Sequence, residues 1–314
     1  MHFSMGGVSY VVTSGGRGEK SDFGRETVPQ VDCSGSVRLN GTTVTGKVDA
    51  GGSINAVGAN VGKLDAGGSI NLTETTCHGK VDAGGSINAT NSQAKMLDAG
   101  GSVTVVGSKI SHGLDAGGSV TANRCEQIGT VKAGGSANLD ECPSVRSVST
   151  GSHATIRDTT VLEDVSAGSD ATIRNSKIGR TLSCSSNHLV IEGSEIDTID
   201  LHSAMGVSIT SGGMSFGRGG VFMGGGSVVV SGGASVSMVS IGGRTTSVMI
   251  DGVPLDRILA ARTSATASDA GEKQVIELRN SKVRNIIFEG GRGEVILSGE
   301  SSVTGSIAGG KIKE

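Results

Sequence analysis

Six aspartates at nearly constant spacing are the residues of this chain whose pattern most suggests chemistry. Each opens a short motif, Asp-Cys-Ser-Gly-Ser in the first copy and Asp-Ala-Gly-Gly-Ser in the other five, and successive copies start sixteen or seventeen positions apart. Carboxylates repeated in this way could bind a row of cations or contact a basic partner, although like charges in a row also repel one another. The six residues are Asp32, Asp49, Asp65, Asp82, Asp98 and Asp115.

Three lysines offer a simpler account of this aspartate column. Lys47, Lys63 and Lys80 each lie two residues before an aspartate, and residues two apart on a strand share a face. We therefore expect a solvated face on which lysines interleave with carboxylates, with cation or partner binding as the functional alternative. The motif differs from the Gly-Gly-x-Gly-x-Asp nonapeptide of calcium-binding solenoids, so we predict no metal site. The chain also lacks the CxxC, HExxH and P-loop motifs and a GxSxG in a strand-turn-helix context, so we predict no cofactor and no catalytic residue.

The cysteines predict core packing and one close pair. Cys125 and Cys142 are one repeat apart, so adjacent copies would place their Cα atoms within disulfide range, and a stacked pair of thiols is expected in a reducing cell. Cys33 and Cys184 align with inward-facing positions of the repeat. The histidines follow no common column and are expected at the surface; they are His2, His78, His112, His153, His188 and His202.

Short strands must position all of these residues. The motif continues in weaker forms to Ser183, which makes ten copies from about Val31 to Asp200. Residues alternate with period two around each copy, as a half-buried strand requires. The repeat predicts an all-β fold, a single-stranded parallel β-helix (β-solenoid) with three short strands in each rung of sixteen or seventeen positions. We expect a right-handed helix because parallel crossovers are nearly always right-handed.

Three columns of apolar residues are predicted to face the interior, where each side chain stacks on its equivalent in the next rung. The first column holds Val48, Leu64, Val81, Leu97, Leu114, Val131, Val148, Val165 and Leu182. The second column holds Ile54, Ile70, Ile87, Val103, Val120, Ala137, Ala154 and Ala171. The third column holds Val44, Val61, Cys77, Ala94, Ile110, Ile128, Val145, Val161, Ile178 and Ile196.

The regularity of the repeat changes along the chain and predicts five segments. Glycine pairs mark corners that need a positive φ or a close approach of the backbone. Within the fourth segment, Pro254 to Arg262 is expected to form a short helix. The segments are an irregular N-terminal cap (1–30), the regular solenoid (31–200), longer glycine-rich rungs (201–250), a helix and loop insertion (251–274), and terminal rungs with a C-terminal cap (275–314).

Composition narrows the classes of partner. The net charge is −3, which gives no basic face for a nucleic acid. No apolar run approaches the length of a membrane span, so none is expected. The first residues lack the pattern of a secretory signal, which predicts a cytoplasmic protein with leaderless secretion as the alternative.

At the level of single rungs, the chain resembles the bactofilins, bacterial proteins that polymerise into cytoskeletal filaments. The resemblance lies in residues 62–71 (Gly-Lys-Leu-Asp-Ala-Gly-Gly-Ser-Ile-Asn) and 129–133 (Gly-Thr-Val-Lys-Ala), and it extends over about 31–200. It implies a self-associating structural protein. The chain departs from that family in its greater length, its end regions and its insertion, and capping segments would block the contact between terminal rungs.

Three functions are consistent with these patterns. The leading hypothesis is a non-enzymatic structural or scaffolding solenoid that associates with itself or presents an extended face to another protein. The alternative is an exported binding or virulence-type solenoid that recognises a host protein or glycan. The third is a carbohydrate-active enzyme similar to polysaccharide lyases, whose site would lie in residues 201–274.

Overall fold

The described part of the chain is built entirely of β-strands. A computed structural model describes residues 2–5, 8–13, 20–185, 189–192, 194–201, 206–210, 215–216, 221–231, 236–251, 255–260, 274–288 and 293–313. Its strands divide between two compact units, Met1–Thr150 and Gly151–Glu314. Among the described residues, no helix is long and apolar enough to cross a membrane.

The first unit contains twenty strands among its described residues. They are β1 (His2–Met5), β2 (Val8–Thr13), β3 (Lys20–Phe23), β4 (Thr27–Val28), β5 (Val31–Cys33), β6 (Ser36–Asn40), β7 (Thr43–Ala50), β8 (Ile54–Val57), β9 (Asn60–Ala66), β10 (Ile70–Thr73), β11 (Thr76–Cys77), β12 (Lys80–Ala83), β13 (Ile87–Thr90), β14 (Gln93–Ala99), β15 (Val103–Val106), β16 (Lys109–Ala116), β17 (Val120–Asn123), β18 (Gln127–Ala133), β19 (Ala137–Asp140) and β20 (Val145–Thr150).

The second unit contains eighteen strands in the part that the structure describes. They are β21 (Ala154–Arg157), β22 (Thr160–Val161), β23 (Val165–Ala167), β24 (Ala171–Arg174), β25 (Lys177–Cys184), β26 (Leu189–Glu192), β27 (Glu195–Leu201), β28 (Gly206–Thr210), β29 (Ser215–Phe216), β30 (Val221–Ser231), β31 (Val236–Asp251), β32 (Leu255–Ala260), β33 (Gln274–Arg279), β34 (Lys282–Phe288), β35 (Gly293–Ser298), β36 (Ser302–Val303), β37 (Ile307–Ala308) and β38 (Gly310–Ile312).

Parallel pairing at the repeat spacing makes each unit a β-solenoid, as the sequence predicts. In the first column, Val81 pairs in register with Leu64 on one side and Leu97 on the other, and all three side chains are buried. The other two inward columns also keep their predicted register and are buried wherever the structure describes them. The three strands per rung and the right-handed sense stay predictions.

The core stays filled where the second inward column changes from large to small side chains. Ala137 replaces the isoleucine or valine of the second column, and Leu139 fills the same layer two residues later. In the second unit, Ile156 compensates Ala154 in the same way. Both larger residues are fully buried, so the narrow core stays packed, as close-packed interiors require.

The Gly-Gly pairs form what we call the glycine corner, where successive rungs leave no room for a side chain. A Cβ on Gly84 would lie 2.5 Å from the carbonyl oxygen of Gly67, and one on Gly85 would lie 2.5 Å from the hydroxyl of Ser69. Of the two predicted reasons for glycine, close backbone approach is confirmed at these pairs, while positive φ occurs elsewhere. From Ser53 to Ser119, each serine after a pair accepts the backbone N–H of the serine one rung later, as in Ser86 N–H to Ser69 Oγ at 3.1 Å.

A second corner, which we call the left-handed corner, is absent from the sequence predictions. One residue there has a positive φ, for example 49° at Asn91 and 51° at Arg124. In ten described rungs it is followed at once by a buried small residue, nine of them carrying a hydroxyl or thiol. This buried ladder comprises Thr42, Ala59, Thr75, Ser92, Ser108, Cys125 and Cys142 in the first unit and Thr159, Ser176 and Ser281 in the second.

Hydrogen bonds run along the buried ladder in one direction. The backbone N–H of Thr75 donates to Ser92 Oγ at 3.1 Å, and that of Ser92 donates to Ser108 Oγ at 3.1 Å. From Thr75 onward, each hydroxyl of the ladder in turn donates to the carbonyl two residues earlier, as Ser92 does to Thr90 at 2.8 Å. No buried nitrogen or oxygen of a described side chain lacks a partner, as a stable interior requires.

The predicted helix is wrong for the described residues, and part of the predicted N-terminal cap is already paired into the sheet. In the predicted N-terminal cap, β1 and β2 pair antiparallel, and β3 and β4 pair in parallel with β6 and β7 as earlier rungs. The predicted helix at Pro254–Arg262 is strand β32 over Leu255–Ala260, because parallel neighbours β31 and β34 pair with its backbone on both sides. Pairing in a sheet overrides the local helix preference of this segment. Residues 261–273 lie outside the described part.

The longer rungs keep the same parallel stacking. Val207 pairs with Val228, and Val228 pairs with Val248, at the wider spacing seen in the sequence. Val248 then pairs with Ile276, which brings the chain back to rungs with the Asn-Ser corner at Asn280. The second unit therefore changes its rung length without leaving the solenoid.

Candidate functional site

The structure stacks all six predicted aspartates in one outward column. Asp49 pairs in register with Asp32 on one side and Asp65 on the other, and Asp98 pairs with Asp82 and Asp115. The column is completed by Asp65 pairing with Asp82. Neighbouring carboxylates therefore follow one another at the spacing of adjacent strands, roughly 4.8 Å.

Two of the three predicted lysines lie between successive carboxylates. The Lys47 ammonium is 2.5 Å from Asp49 and 3.0 Å from Asp65. Lys80 repeats this arrangement two rungs later, at 2.7 Å from Asp82 and 2.6 Å from Asp98. Each lysine bridges two rungs, so it compensates the repulsion that stacking creates.

The hydrogen bonds in these bridges raise the pKa values of the two lysines. The hydrogen bond to Asp49, followed by that to Asp65, raises the pKa of Lys47 above its ordinary value. For Lys80, the corresponding bonds to Asp82 and Asp98 raise the pKa in the same direction. The side chains are about two-fifths exposed, so solvent screens the pairs and each contributes roughly 0–1 kcal/mol.

The bridging lysines limit where the aspartate column could bind a cation. Each ammonium occupies the place where a cation would sit between two carboxylates. Among the described side chains, no group of three or more His, Cys, Asp or Glu could hold a metal ion. At these two places, therefore, an ammonium group and not a separate cation lies between the carboxylates.

Lysines and carboxylates do not pair equally in all rungs of this face. Lys63 is in register with Lys47 but makes no ion pair within the described residues. At the other end, Asp115 faces Lys132 in register, and the pair is not within ion-pair distance. The face therefore presents alternating bridged and unbridged charges rather than a uniformly acidic strip.

A second outward column carries amides and hydroxyls. Asn71 pairs in register with Asn55 and Asn88, and the Asn88 amide donates to the Asn71 carbonyl oxygen at 2.9 Å. Arg38 continues the column by pairing with Asn55. A shallow depression of about 350 Å³ lies here, between the arginine, the two asparagines nearest it and Ser36 and Ser53.

The five cysteines are buried thiols, and none forms a disulfide. Cys125 and Cys142 each lie two residues after Asn123 and Asp140, which pair in register, so the two thiols lie in adjacent rungs as predicted. Cys33 pairs in register with Ala50 and Cys184 with Ala167, which confirms their predicted core positions. Burial raises the pKa of the Cys77 thiol.

The described histidines are dispersed, as the sequence predicts. His78 bonds Asn60 at 2.7 Å, His112 bonds Ser111 at 3.1 Å, and His153 lies 3.2 Å from Asp170. The side chains of His2, His188 and His202 lie outside the described part of the chain, as do those of residues 201–273.

The fold and its columns define a parallel β-solenoid repeat protein. Comparison of the chain with protein-family models, with curated proteins and with solved structures finds no match.

Proposed function

We propose that this protein is a structural or scaffolding solenoid that acts through its aspartate face. The observation that carries the proposal is the repetition of the same charged side chains on successive rungs. Such stacking makes an extended surface of constant spacing, which solenoids use for broad contacts rather than for a single cleft.

Two features support self-association as the form of this contact. Lysines and aspartates occupy neighbouring columns of one face, as Lys80 and Asp82 do, so a second copy turned through a two-fold axis would bring opposite charges together. The resemblance of residues 31–200 to bactofilins points in the same direction. Another protein with a complementary charged surface would use the same face.

Sedimentation velocity and electron microscopy of the full chain test the proposal. We expect dimers or larger oligomers whose fraction rises with protein concentration and falls as salt rises, because salt screens exposed charges beyond about 8–10 Å. Monodisperse monomers at every concentration and ionic strength would overturn self-association.

Matched variants test whether the aspartate face makes the contact. Asp65→Asn with Asp82→Asn removes two carboxylates without changing side-chain size, and we expect it to weaken assembly and flatten its salt dependence. Asn71→Thr with Asn88→Thr is the control, because that column already changes from Asn88 to Thr104 between paired rungs. Equal effects from both double variants would contradict the assignment to this face.

A further inference from the structure

Two thiols occupy consecutive positions of the buried ladder. Cys125 follows Arg124, with φ of 51°, and Cys142 follows Glu141, with φ of 52°. Both side chains are 0% exposed. The other described positions of the ladder hold hydroxyls or, at Ala59, a methyl group, so the paired thiols are a local change of chemistry on an unchanged scaffold.

The strands next to these thiols hold them in register. Asn123 pairs with Asp140, and the Asn123 amide donates to the Asp140 carboxylate at 3.0 Å. The backbone N–H of Arg124 donates to the Asp140 carbonyl at 2.9 Å. Adjacent strands are about 4.8 Å apart, which lies within the usual Cα separation of disulfide-bonded cysteines, about 4.4–6.8 Å.

The two sulfurs also point the same way. Cys125 Sγ lies 3.4 Å from the carbonyl oxygen of Asn123, and Cys142 Sγ lies 3.3 Å from that of Asp140. The thiols hydrogen bond to each other, which lowers the pKa of Cys125 to about 7 and raises that of Cys142. Cys125 is therefore the more readily ionised, and so the more nucleophilic, of the two thiols.

The remaining cysteines provide an internal comparison. Their register partners in the neighbouring strands are Thr13 and Ala50 for Cys33, Val61 for Cys77, and Ala167 and Leu201 for Cys184. Each is buried, as the pair is, but none of these partners carries sulfur. Burial is common to all five cysteines, and only stacking distinguishes Cys125 and Cys142.

We propose that Cys125 and Cys142 are a site of oxidative modification, at which a small peroxide produces a disulfide between adjacent rungs. In the first step the Cys125 thiol attacks hydrogen peroxide, which gives a sulfenic acid and releases water. In the second step the Cys142 sulfur displaces the sulfenic hydroxyl, which forms the S–S bond and releases a second water. The two cysteines together lose two protons and two electrons, and one peroxide is reduced to two waters.

Burial determines which oxidants can reach the pair. Sulfurs with no exposed surface meet a reagent only when the corner opens locally or when the reagent is small enough to penetrate. Hydrogen peroxide is small and neutral, whereas alkylating reagents are bulkier. We therefore expect peroxide to modify the native pair faster than an alkylating reagent labels it.

Peroxide treatment of the native full-length chain tests the proposal. After treatment, the protein is unfolded, its thiols are counted, and its peptides are mapped without reduction. We expect the thiol count to fall from five to three, with one cross-link between Cys125 and Cys142 that a reductant reverses. Cross-links that involve Cys33, Cys77 or Cys184 at comparable yield would overturn the proposal, as would a native chain that keeps five thiols while the unfolded chain oxidises.

Serine variants separate the chemistry from folding. Ser108 and Ser92 occupy the same ladder position, so Cys125→Ser and Cys142→Ser are expected to fold, which circular dichroism checks. Each should abolish the cross-link, and Cys142→Ser should leave Cys125 trapped as a sulfenic acid. Formation of a native cross-link in either variant would show that another thiol is the partner and would overturn the assignment.

Discussion

The two corners of the first unit achieve the same change of direction by different physical means. At the glycine corner, successive rungs approach so closely that a side chain would collide with the backbone of the rung before, as at Gly84. At the left-handed corner, the chain turns through a residue with positive φ and then buries a hydrogen-bonding group, as at Asn91 and Ser92.

The difference explains why one corner is conspicuous in the sequence and the other is hidden. Only glycine fits where a side chain would collide with the neighbouring rung, so glycine recurs at the same position in successive rungs. The buried position of the left-handed corner has several solutions: Thr75 and Ser92 accept a backbone N–H there, and Ala59 fills the same place with a methyl group. Likewise Glu74 and Arg124 adopt the left-handed conformation that glycine adopts at Gly58.

The largest effect should come from filling the glycine corner. In Gly84→Ala the new methyl group would lie 2.5 Å from the Gly67 carbonyl oxygen, so the backbone must shift. Overpacking of this kind typically costs about 2–3 kcal/mol in the free energy of unfolding. Urea denaturation measures it. A loss below about 0.5 kcal/mol, the usual range for a surface change, would show that the corner is not sterically closed.

Removing a hydroxyl from the buried ladder should cost slightly less. Ser92→Ala leaves the buried N–H of Thr75 without its acceptor, which costs about 1–3 kcal/mol. Ser92→Thr is the control, because Thr75 and Thr159 hold the same ladder position, and it should keep most of the stability. If both variants unfold at the same urea concentration, the hydrogen bond is not what the position requires.

The same substitution at the glycine corner should be milder. Ser86 accepts the N–H of Ser102 at 3.1 Å, but this site is only partly buried, so water can replace the lost hydroxyl. We expect Ser86→Ala to cost about 0.5–1 kcal/mol, near the net value of an ordinary hydrogen bond. Thermal melts of Ser86→Ala and Ser92→Ala, compared with the unmodified protein, measure how much burial adds to the loss of stability. An equal decrease in Tm for the two variants would show that burial adds nothing.

The smallest effect should come from replacing the glycine of a left-handed corner. Gly58 has a φ of 59° and open space where a side chain would begin, and Asn91 already adopts 49° at the equivalent place. Asparagine tolerates this conformation, so Gly58→Asn should change stability by less than about 0.5 kcal/mol. A loss as large as that of Gly84→Ala would mean that both corners are constrained by shape.

The sequence is enough to predict those features of the fold that depend on side-chain volume or on identically repeated residues. The inward columns and the aspartate column are in their predicted registers because a one-residue slip would turn apolar side chains outward. The spacing predicts that Lys63 bridges carboxylates as Lys47 does, but ion pairing depends on rotamers that spacing alone does not determine.

The buried ladder has a signal in the sequence that the inward columns alone do not capture. Thr75 lies two residues before the inward Cys77, and Ser92 lies two before Ala94, so both belong to the inward alternation. Small polar residues next to a turn are usually exposed, which hides them among surface positions. At Cys125 and Cys142 an extra residue precedes the next inward position, which obscures the pattern further.

The variability of the left-handed corner also bears on how the first unit reaches one structure. Asp-Ala-Gly-Gly-Ser is identical in its five copies from Asp49 to Asp115, so the glycine corner alone would let a folding chain skip a rung without loss. The ladder residue changes from Ala59 through Ser92 to Cys125, and each has its own volume and hydrogen-bonding capacity. Where neighbouring rungs differ in this way, the correct pairing is favoured over one shifted by a repeat.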